Sequence, residues 1–178
     1  DITLLCRRWR GCGIGDGGLK NQHWQSQLML ERVPCGDFSL YERSLDASFL
    51  FGNVPERAKA TSGTPLDFYF RVARGRSTVD DTGGVHAGEM TKWFNTNYHY
   101  IVPEFHQETD FSLHSERLVS QIKEAQSLGF TPKPVLIGPV TYLWLGKEKD
   151  DSNKIDLLSK LLPVYSQLLN ELATLGID

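Results

Sequence analysis

The chain has 178 residues, of which 40% are hydrophobic and 23% charged, with a formal net charge of −3. A chain of this length can bury a substantial core, and this composition is ordinary for a soluble domain. The charge supplies no basic field for nucleic acid, and no apolar run approaches the roughly 20 residues that cross a bilayer, so we expect neither partner. Its three cysteines lack CxxC spacing, which indicates a reducing, cytoplasmic setting rather than a disulfide framework or a zinc knuckle.

Residues 1–22 differ in composition from the rest of the chain. They contain the segment CRRWRGCGIGDGG, which is rich in Gly and Arg and has no apolar period. Gly11, Gly13 and Gly15 hint at a phosphate-binding loop, but the strand and the helix that a dinucleotide fingerprint needs are not visible. We predict that residues 1–22 are an atypical leader, disordered or not native to the domain, and that the domain occupies residues 23–178. Because the chain begins at Asp1 and stops just after an apolar helical run, we expect a fragment of a longer protein.

The first half of the domain contains one predicted strand and two predicted helices. The strand covers 33–37, and the segment 39–42 has the form of a capping box for a helix that Gly52 ends. Pro65 begins a second helix, which ends at Gly75. Residues 76–88 have the composition of a loop.

The second half continues this alternation. Residues 90–101 are predicted to form a strand that runs into a functional loop, and Ser115 is a candidate cap for a helix ending at Gly129. A short apolar strand is expected at 134–137, broken by Gly138 and Pro139. The last helix covers about 151–175, and Pro163 should kink or divide it.

The order strand, helix, helix, strand, helix, strand, helix indicates an α/β protein with parallel strands covered by helices. Either an open sheet or a (β/α)8 barrel of the TIM type would give this order. A complete barrel has eight strands, and the sequence predicts three. A barrel formed by this chain would therefore be incomplete.

Polar side chains are concentrated around the predicted central strand. Lys92 and Asn97 lie in or just after it, and in a parallel barrel ligands bind where strands end. If 90–99 is extended, Lys92 shares a face with Met90 and Phe94, where an ammonium is costly to bury unless it meets an anion. A carboxylate-rich ligand would supply that anion; alternatively, Lys92 reaches solvent or pairs with Glu89 or Glu104.

Other polar residues allow similar alternatives. Asn95 and Asn97 could bind a polar ligand or satisfy backbone groups at the end of the strand. His99 has no second metal ligand at metal spacing, so a packed, hydrogen-bonded histidine is favoured. Cys35 is expected to be a small buried residue rather than a nucleophile. The remaining strand-end candidates are Asp37 and Thr141.

Five stretches closely resemble the N-terminal half of cobalamin-independent methionine synthases, which are 5-methyltetrahydropteroyltriglutamate–homocysteine methyltransferases. They are VPCGDFSLYERSLDASFLFGNVPER at 33–57, FRVARGR at 70–76, EMTKWFNTNYHYIVPEF at 89–105, KPVLIGPVTYLWLGK at 133–147 and the helix at 156–177. The resemblance implies two (β/α)8 barrels in the parent, with this chain supplying strands two to four of the first.

The resemblance also implies a function for the parent enzyme. A methyl group would move from 5-methyltetrahydropteroyltri-L-glutamate to L-homocysteine, whose thiol is activated by zinc held in a C-terminal barrel of the same polypeptide. By motif, Lys92 and Asn97 match positions that bind the polyglutamate tail of the folate. No catalytic residue and no metal ligand is expected in this chain, so the fragment alone should be inactive.

Two of the sequence's departures from the family pattern bear on its function. The family's first barrel strand and the basic loop after it are not recognisable in residues 1–22. The zinc ligands of the family belong to a barrel outside this sequence. Two alternatives stay open: a non-catalytic binding or scaffolding half-barrel, and another enzyme of the uroporphyrinogen-decarboxylase-like barrel group.

Overall fold

The structure, a computed structural model, describes residues 12–27, 30–59, 63–76 and 84–177. The predicted leader before residue 12 and most of the predicted loop 76–88 lie outside these ranges. The chain divides into two compact units. The first contains the described residues up to Tyr41 together with Ser115–Leu136 and those from Gln167 onward, and the second contains Glu42–His114 and Ile137–Ser166.

The elements, in chain order, are α1 (Cys12–Ser26), β1 (Val33–Cys35), α2 (Arg43–Leu50), α3 (Glu56–Lys59), α4 (Pro65–Arg74), β2 (Met90–Lys92), β3 (His99–Ile101), β4 (Glu104–Phe105), α5 (Glu116–Ser127), β5 (Pro132–Pro134), α6 (Pro139–Leu145), β6 (Lys147–Glu148), a 3-10 turn (Lys154–Leu157) and α7 (Leu158–Thr174). The α/β class is therefore confirmed. The predicted strands and helices that reappear do so within a few residues of their expected bounds.

The strands form three sheets of two strands each within the described ranges. β1 pairs with β5 and β4 with β6 in parallel, whereas β2 and β3 are antiparallel. The single strand predicted over 90–101 is therefore wrong, because the chain reverses direction after Lys92 and pairs with itself. No closed barrel is present among the described residues, and the incomplete barrel stays a prediction.

The first unit is built around the β1–β5 pair. Val33 and Cys35 are buried in β1, and Gln121 of α5 accepts a hydrogen bond from the backbone of Gly36 at 3.1 Å. Trp24 of α1 is 1% exposed and donates its indole N–H to the carbonyl of Pro34 at 2.9 Å. These contacts connect α1 and α5 to the same strand.

Helix α1 was not predicted, because residues 12–22 had been assigned to the leader. The segment carries several glycines and no apolar period, so its local propensity for helix is low. Trp24 and Lys20 stabilise the helix through tertiary contacts instead. The Trp24 indole is buried, and the Lys20 ammonium donates a hydrogen bond to the Glu124 carboxylate of α5 at 2.7 Å. Tertiary contacts thus stabilise a helix that the sequence pattern alone does not indicate.

Aromatic rings form the centre of the second unit. Phe51 packs against Tyr142 at 5.5 Å and against Tyr165 at 4.8 Å, and Phe105 contacts Tyr142 at 5.6 Å. The Tyr142 hydroxyl is buried and satisfied, because it donates to Ser48 and accepts from the Asn53 amide, both at 3.0 Å. The core therefore buries a polar group without losing its hydrogen bonds.

Helix ends explain where several predictions succeed and fail. α4 begins at Pro65 as predicted, with a capping box between Thr64 and Asp67. α2 starts at Arg43 because the Glu42 side chain, rather than a box at Ser39, accepts the first backbone N–H groups. α7 continues through Pro163 without being divided.

The stretch after β5 also differs from its prediction. The strand expected at 134–137 lies at Pro132–Pro134, and Gly138 and Pro139 start α6 instead of a plain break. Pro is well suited to the first position of a helix, where its missing N–H has no intrahelical partner. This placement brings Thr141 into a helix, half-buried, rather than to the end of a strand.

Candidate ligand-binding hairpin

The predicted site residues lie on the β2–β3 hairpin of the second unit. Met90 pairs with Ile101, Thr91 with Tyr100 and Lys92 with His99. Beyond this ladder the Trp93 N–H donates to the carbonyl of Tyr98 at 2.7 Å, so the reversal is made by residues 94–97. Lys92 therefore stands at the last ladder position and Asn97 in the turn.

The turn is held by a threonine. The Thr96 hydroxyl donates to the carbonyl of Trp93 at 2.6 Å and accepts from the N–H of Tyr98 at 3.2 Å. Phe94 has a φ of 49°, a left-handed conformation that side chains rarely adopt. The turn thus forces a bulky residue into a position where Gly or Asn would normally be found.

The base of the hairpin is fixed to the unit by polar contacts. The hydroxyl of buried Tyr100 donates to the carbonyl of Leu145 at 2.9 Å, and Ser44 of α2 donates to the carbonyl of Ile101 at 3.2 Å. Nearer the turn, the N–H of Arg43 reaches the Tyr98 hydroxyl at 3.4 Å. A fixed base with an exposed turn is a suitable platform for a ligand.

Lys92 is exposed, and no carboxylate lies within 4 Å of its Nζ among the described residues. The two acids proposed as internal partners are engaged elsewhere. Glu89 pairs with Lys147, and Glu104 forms a bidentate pair with Arg57. The ammonium is therefore available to an anion from solution.

The neighbouring polar residues are also exposed, and they lie in a turn and an antiparallel strand rather than along one extended strand. Asn95 and Asn97 both lie in the turn. The His99 ring is exposed, so the expected packed histidine is wrong, but its Nδ1 lies 3.0 Å from the Asn97 carbonyl, as a hydrogen-bonded histidine requires. The hairpin gathers one ammonium, two amides and an imidazole within eight residues.

Two further candidate residues, Cys35 and Asp37, belong to the first unit. Cys35 is buried, as predicted, and burial raises the pKa of its thiol to about 12, aided by the Asp37 carboxylate. Such a thiol stays protonated and is a poor nucleophile. Asp37 Oδ2 lies 3.8 Å from His23 Nε2, while its Oδ1 is buried with no hydrogen-bond partner in the described structure.

Sequence reasoning missed Glu42, a buried carboxyl group at the start of α2. It is 2% exposed and accepts hydrogen bonds from the N–H groups of Ser44 and Leu45. Burial raises its pKa to about 7, although those two N–H groups act in the opposite direction. Its position just before a helix could have identified Glu42 as an N-cap. The sequence instead suggests a capping box that begins at Ser39, with Glu42 inside the helix.

Within the ranges described above, no group of three or more His, Cys, Asp or Glu is arranged to hold a metal ion. Among those same residues, no helix combines the length and the apolarity that crossing a membrane requires.

These features define a mixed α/β domain that presents an exposed, polar and aromatic hairpin from a fixed base. Residues 16–178 match the family model described as cobalamin-independent synthase, N-terminal domain. The chain therefore belongs to the N-terminal domain family of the cobalamin-independent methionine synthases. The match includes residues 16–22 of the predicted leader.

Proposed function

We propose that this chain is part of a methyltransferase that moves a methyl group from 5-methyltetrahydropteroyltri-L-glutamate to L-homocysteine, forming methionine. Its own contribution is to bind the polyglutamate tail of the folate through Lys92 and Asn97. The family supports the methionine synthase class. The exposed Lys92 ammonium, with no described carboxylate beside it, is the observation that carries the binding role.

Charge and hydrogen bonding support this assignment. A polyglutamate tail presents one α-carboxylate per residue, and an ammonium paired with a carboxylate makes the stronger, charge-assisted type of hydrogen bond. Asn97 in the adjoining turn is exposed and can donate its amide N–H groups or accept the N–H of a peptide-like link. Their positions on one hairpin allow both to meet the same tail.

The remaining parts of the proposal concern the parent protein. We propose a (β/α)8 barrel for the complete domain from the family resemblance; the parallel pairing within β1–β5 and within β4–β6 is of the type that such a barrel uses. Zinc would activate the homocysteine thiol as a thiolate. No zinc ligand is assigned to the described residues, and we place the ligands in a C-terminal barrel of the same polypeptide, in the cytoplasm.

Lys92→Ala tests the site directly. We expect the variant to bind 5-methyltetrahydropteroyl-triglutamate about 1.4- to 5-fold more weakly, as for the loss of one exposed ion pair worth ~0.2–1 kcal/mol. Binding of the monoglutamate should change little, because the carboxylates that distinguish the two ligands are those of the longer tail. Isothermal titration of the protein with both folates measures the two affinities.

Lys123→Ala is the matched control, because Lys123 is an exposed lysine on α5 and its removal changes the net charge equally. A general electrostatic effect would weaken triglutamate binding in both variants. Equal losses for mono- and triglutamate in Lys92→Ala would assign the lysine a structural role and reject the proposal.

A further inference from the structure

Phe94 combines a left-handed backbone with an exposed aromatic ring. Its backbone has a φ of 49°, and it is the one residue other than glycine with positive φ in the described ranges. Its side chain is 60% exposed, so burial of the ring does not offset this conformation. A strained backbone that presents an apolar ring to solvent indicates a functional constraint rather than a packing one.

The ring nevertheless has an aromatic neighbour that packs against the core. Trp93 is half-buried against Tyr100 and Leu145, and its ring meets that of Phe94 edge to face at 5.6 Å. Tyr98 contacts Trp93 from the other side of the turn at 6.2 Å and is 45% exposed. The turn therefore carries an exposed aromatic surface supported by a tryptophan.

This surface adjoins the cation of the proposed tail site. Phe94 follows Lys92 by two residues, so their Cα atoms lie no more than about 7 Å apart. A ligand that reaches both would need a planar aromatic group close to a carboxylate. The aminobenzoyl-glutamyl part of a folate has that order of groups.

We propose that Phe94 binds the aminobenzoyl ring of the folate while the Lys92 ammonium, at the end of its long side chain, binds the carboxylates of the second and third glutamyl residues. The inference rests on the proposed function and adds to it a residue that selects for the aromatic part of the ligand. The left-handed backbone of Phe94 serves to direct the ring outward. Aromatic pairs prefer edge-to-face or offset stacking, both of which an exposed ring permits.

Two probes and three variants separate the contributions. The probes are 4-aminobenzoyl-tri-γ-glutamate and tri-γ-glutamate, which differ in the ring alone. Phe94→Gly removes the ring and suits the left-handed backbone, whereas Phe94→Leu keeps apolar bulk without the aromatic face. Lys92→Ala is the third variant, and isothermal titration of the whole chain gives each affinity.

We expect Phe94→Gly to weaken the aminobenzoyl probe by about 2- to 12-fold, the range of aromatic pair energies, and to leave tri-γ-glutamate unchanged. Phe94→Leu should have an intermediate effect on the aminobenzoyl probe. The thermal midpoint of Phe94→Gly should stay equal to that of the wild type or rise, since glycine adopts this conformation without strain. A selective loss of binding in a protein that is not destabilised would establish the ring contact.

The two proposals fail in different ways. Unchanged binding of both probes by Phe94→Gly would overturn the ring contact, as would an equal loss for both, which would mean that Phe94 acts through the shape of the turn. Lys92→Ala should weaken both probes; if it weakens neither while Phe94→Gly stays selective, the tail site is wrong and the ring contact stands. A wild-type chain that binds neither probe would refute both.

Discussion

The buried carboxyl group of Glu42 caps the start of α2, and its ionisation makes the stability of the protein depend on pH. Its side chain accepts two backbone N–H groups at the start of α2, where the helix dipole favours a negative charge. Burial opposes that charge and prevails, raising the pKa to about 7 from an ordinary value of 4.5. In a neutral solution the group is therefore close to its titration point.

The sign of the resulting pH dependence follows from proton binding. Between about pH 4.5 and 7 the native carboxyl is protonated and the unfolded one ionised, so folding takes up a proton. The stabilisation is complete below pH 4.5 and is lost as the pH rises through about 7. From the size of the shift, this group should lower the unfolding free energy by roughly 3 kcal/mol across that window.

Glu42→Gln should remove that dependence. The amide cannot ionise, and its oxygen still accepts a hydrogen bond from the helix start, so we expect a flatter curve of unfolding free energy between pH 4.5 and 7.5. Urea unfolding at a series of pH values measures it. Glu108→Gln, an exposed carboxylate, should keep the wild-type slope; parallel curves for wild type and Glu42→Gln would contradict the assignment.

At the scale of elements, α6 is bounded by two glycines with different surroundings. Gly146 follows its last residue, and a Cβ there would lie 2.1 and 2.7 Å from carbon atoms of the Phe105 ring and 2.9 Å from the carbonyl oxygen of Pro103. Gly138 precedes the helix, and a Cβ there would meet nothing within 4 Å. Neither glycine has positive φ, so backbone strain does not enter the comparison.

Gly146→Ala should destabilise the protein by ~1–3 kcal/mol, the usual cost of overpacking, because the β4–β6 pair must separate from the end of α6 or Phe105 must move. Gly138→Ala should cost less than about 1 kcal/mol, as for a weak N-cap replaced by alanine. Urea midpoints for both variants, measured with unchanged m-values, provide the comparison. Similar losses in the two variants would show that the approach of Phe105 to Gly146 is not limiting.

Elements with local start and stop signals are the ones that the sequence predicts well. α4 has Thr64 and Pro65 at its start and Gly75 at its end, and α5 ends before Gly129, whose φ of 83° suits glycine. By contrast, α1 depends on the burial of Trp24, and the two-residue strands β4 and β6 depend on each other. No local pattern records such distant contacts.

The hairpin was mispredicted because its turn lacks the usual signal. Two-residue hairpin turns are marked by Asn-Gly or Asp-Gly, whereas here four residues reverse the chain and Phe94 occupies the left-handed position. The residue types at the site could be predicted, since Lys92 and Asn97 were singled out from the sequence. Their placement at the ladder end and in the turn could not, because it depends on hydrogen bonds made by Thr96.

At the scale of the molecule, the sheets of the two units differ in how their edges are protected. β1 contains Pro34, and β5 contains Pro132 and Pro134, which have no N–H to offer a further strand. The ladder bonds of this pair are made by other residues, including Val33 to Thr131 and Val135 to Cys35 at 2.8 Å. Proline therefore blocks the outer edges of the first unit's sheet.

The hairpin has no such protection. Backbone hydrogen bonds between Val102 and Glu89 and between Trp93 and Tyr98 flank the ladder of the hairpin. In an antiparallel pair, successive residues point their N–H groups alternately toward and away from the partner strand, so those of Met90 and Lys92 point away from β3. Neither N–H has a backbone partner in the described structure. Met90 is also 47% exposed, which leaves this edge of β2 open to pairing with a second chain.

We therefore expect the chain to self-associate through β2 at high concentration. Met90→Pro should reduce this association, because it removes an outward N–H while leaving the bonds between β2 and β3 in place, whereas Lys133→Ala in the proline-protected β5 should not. Sedimentation velocity over a hundred-fold range of concentration distinguishes the variants. A wild-type chain that stays monomeric throughout and melts in one cooperative transition would show that this edge is not available for pairing.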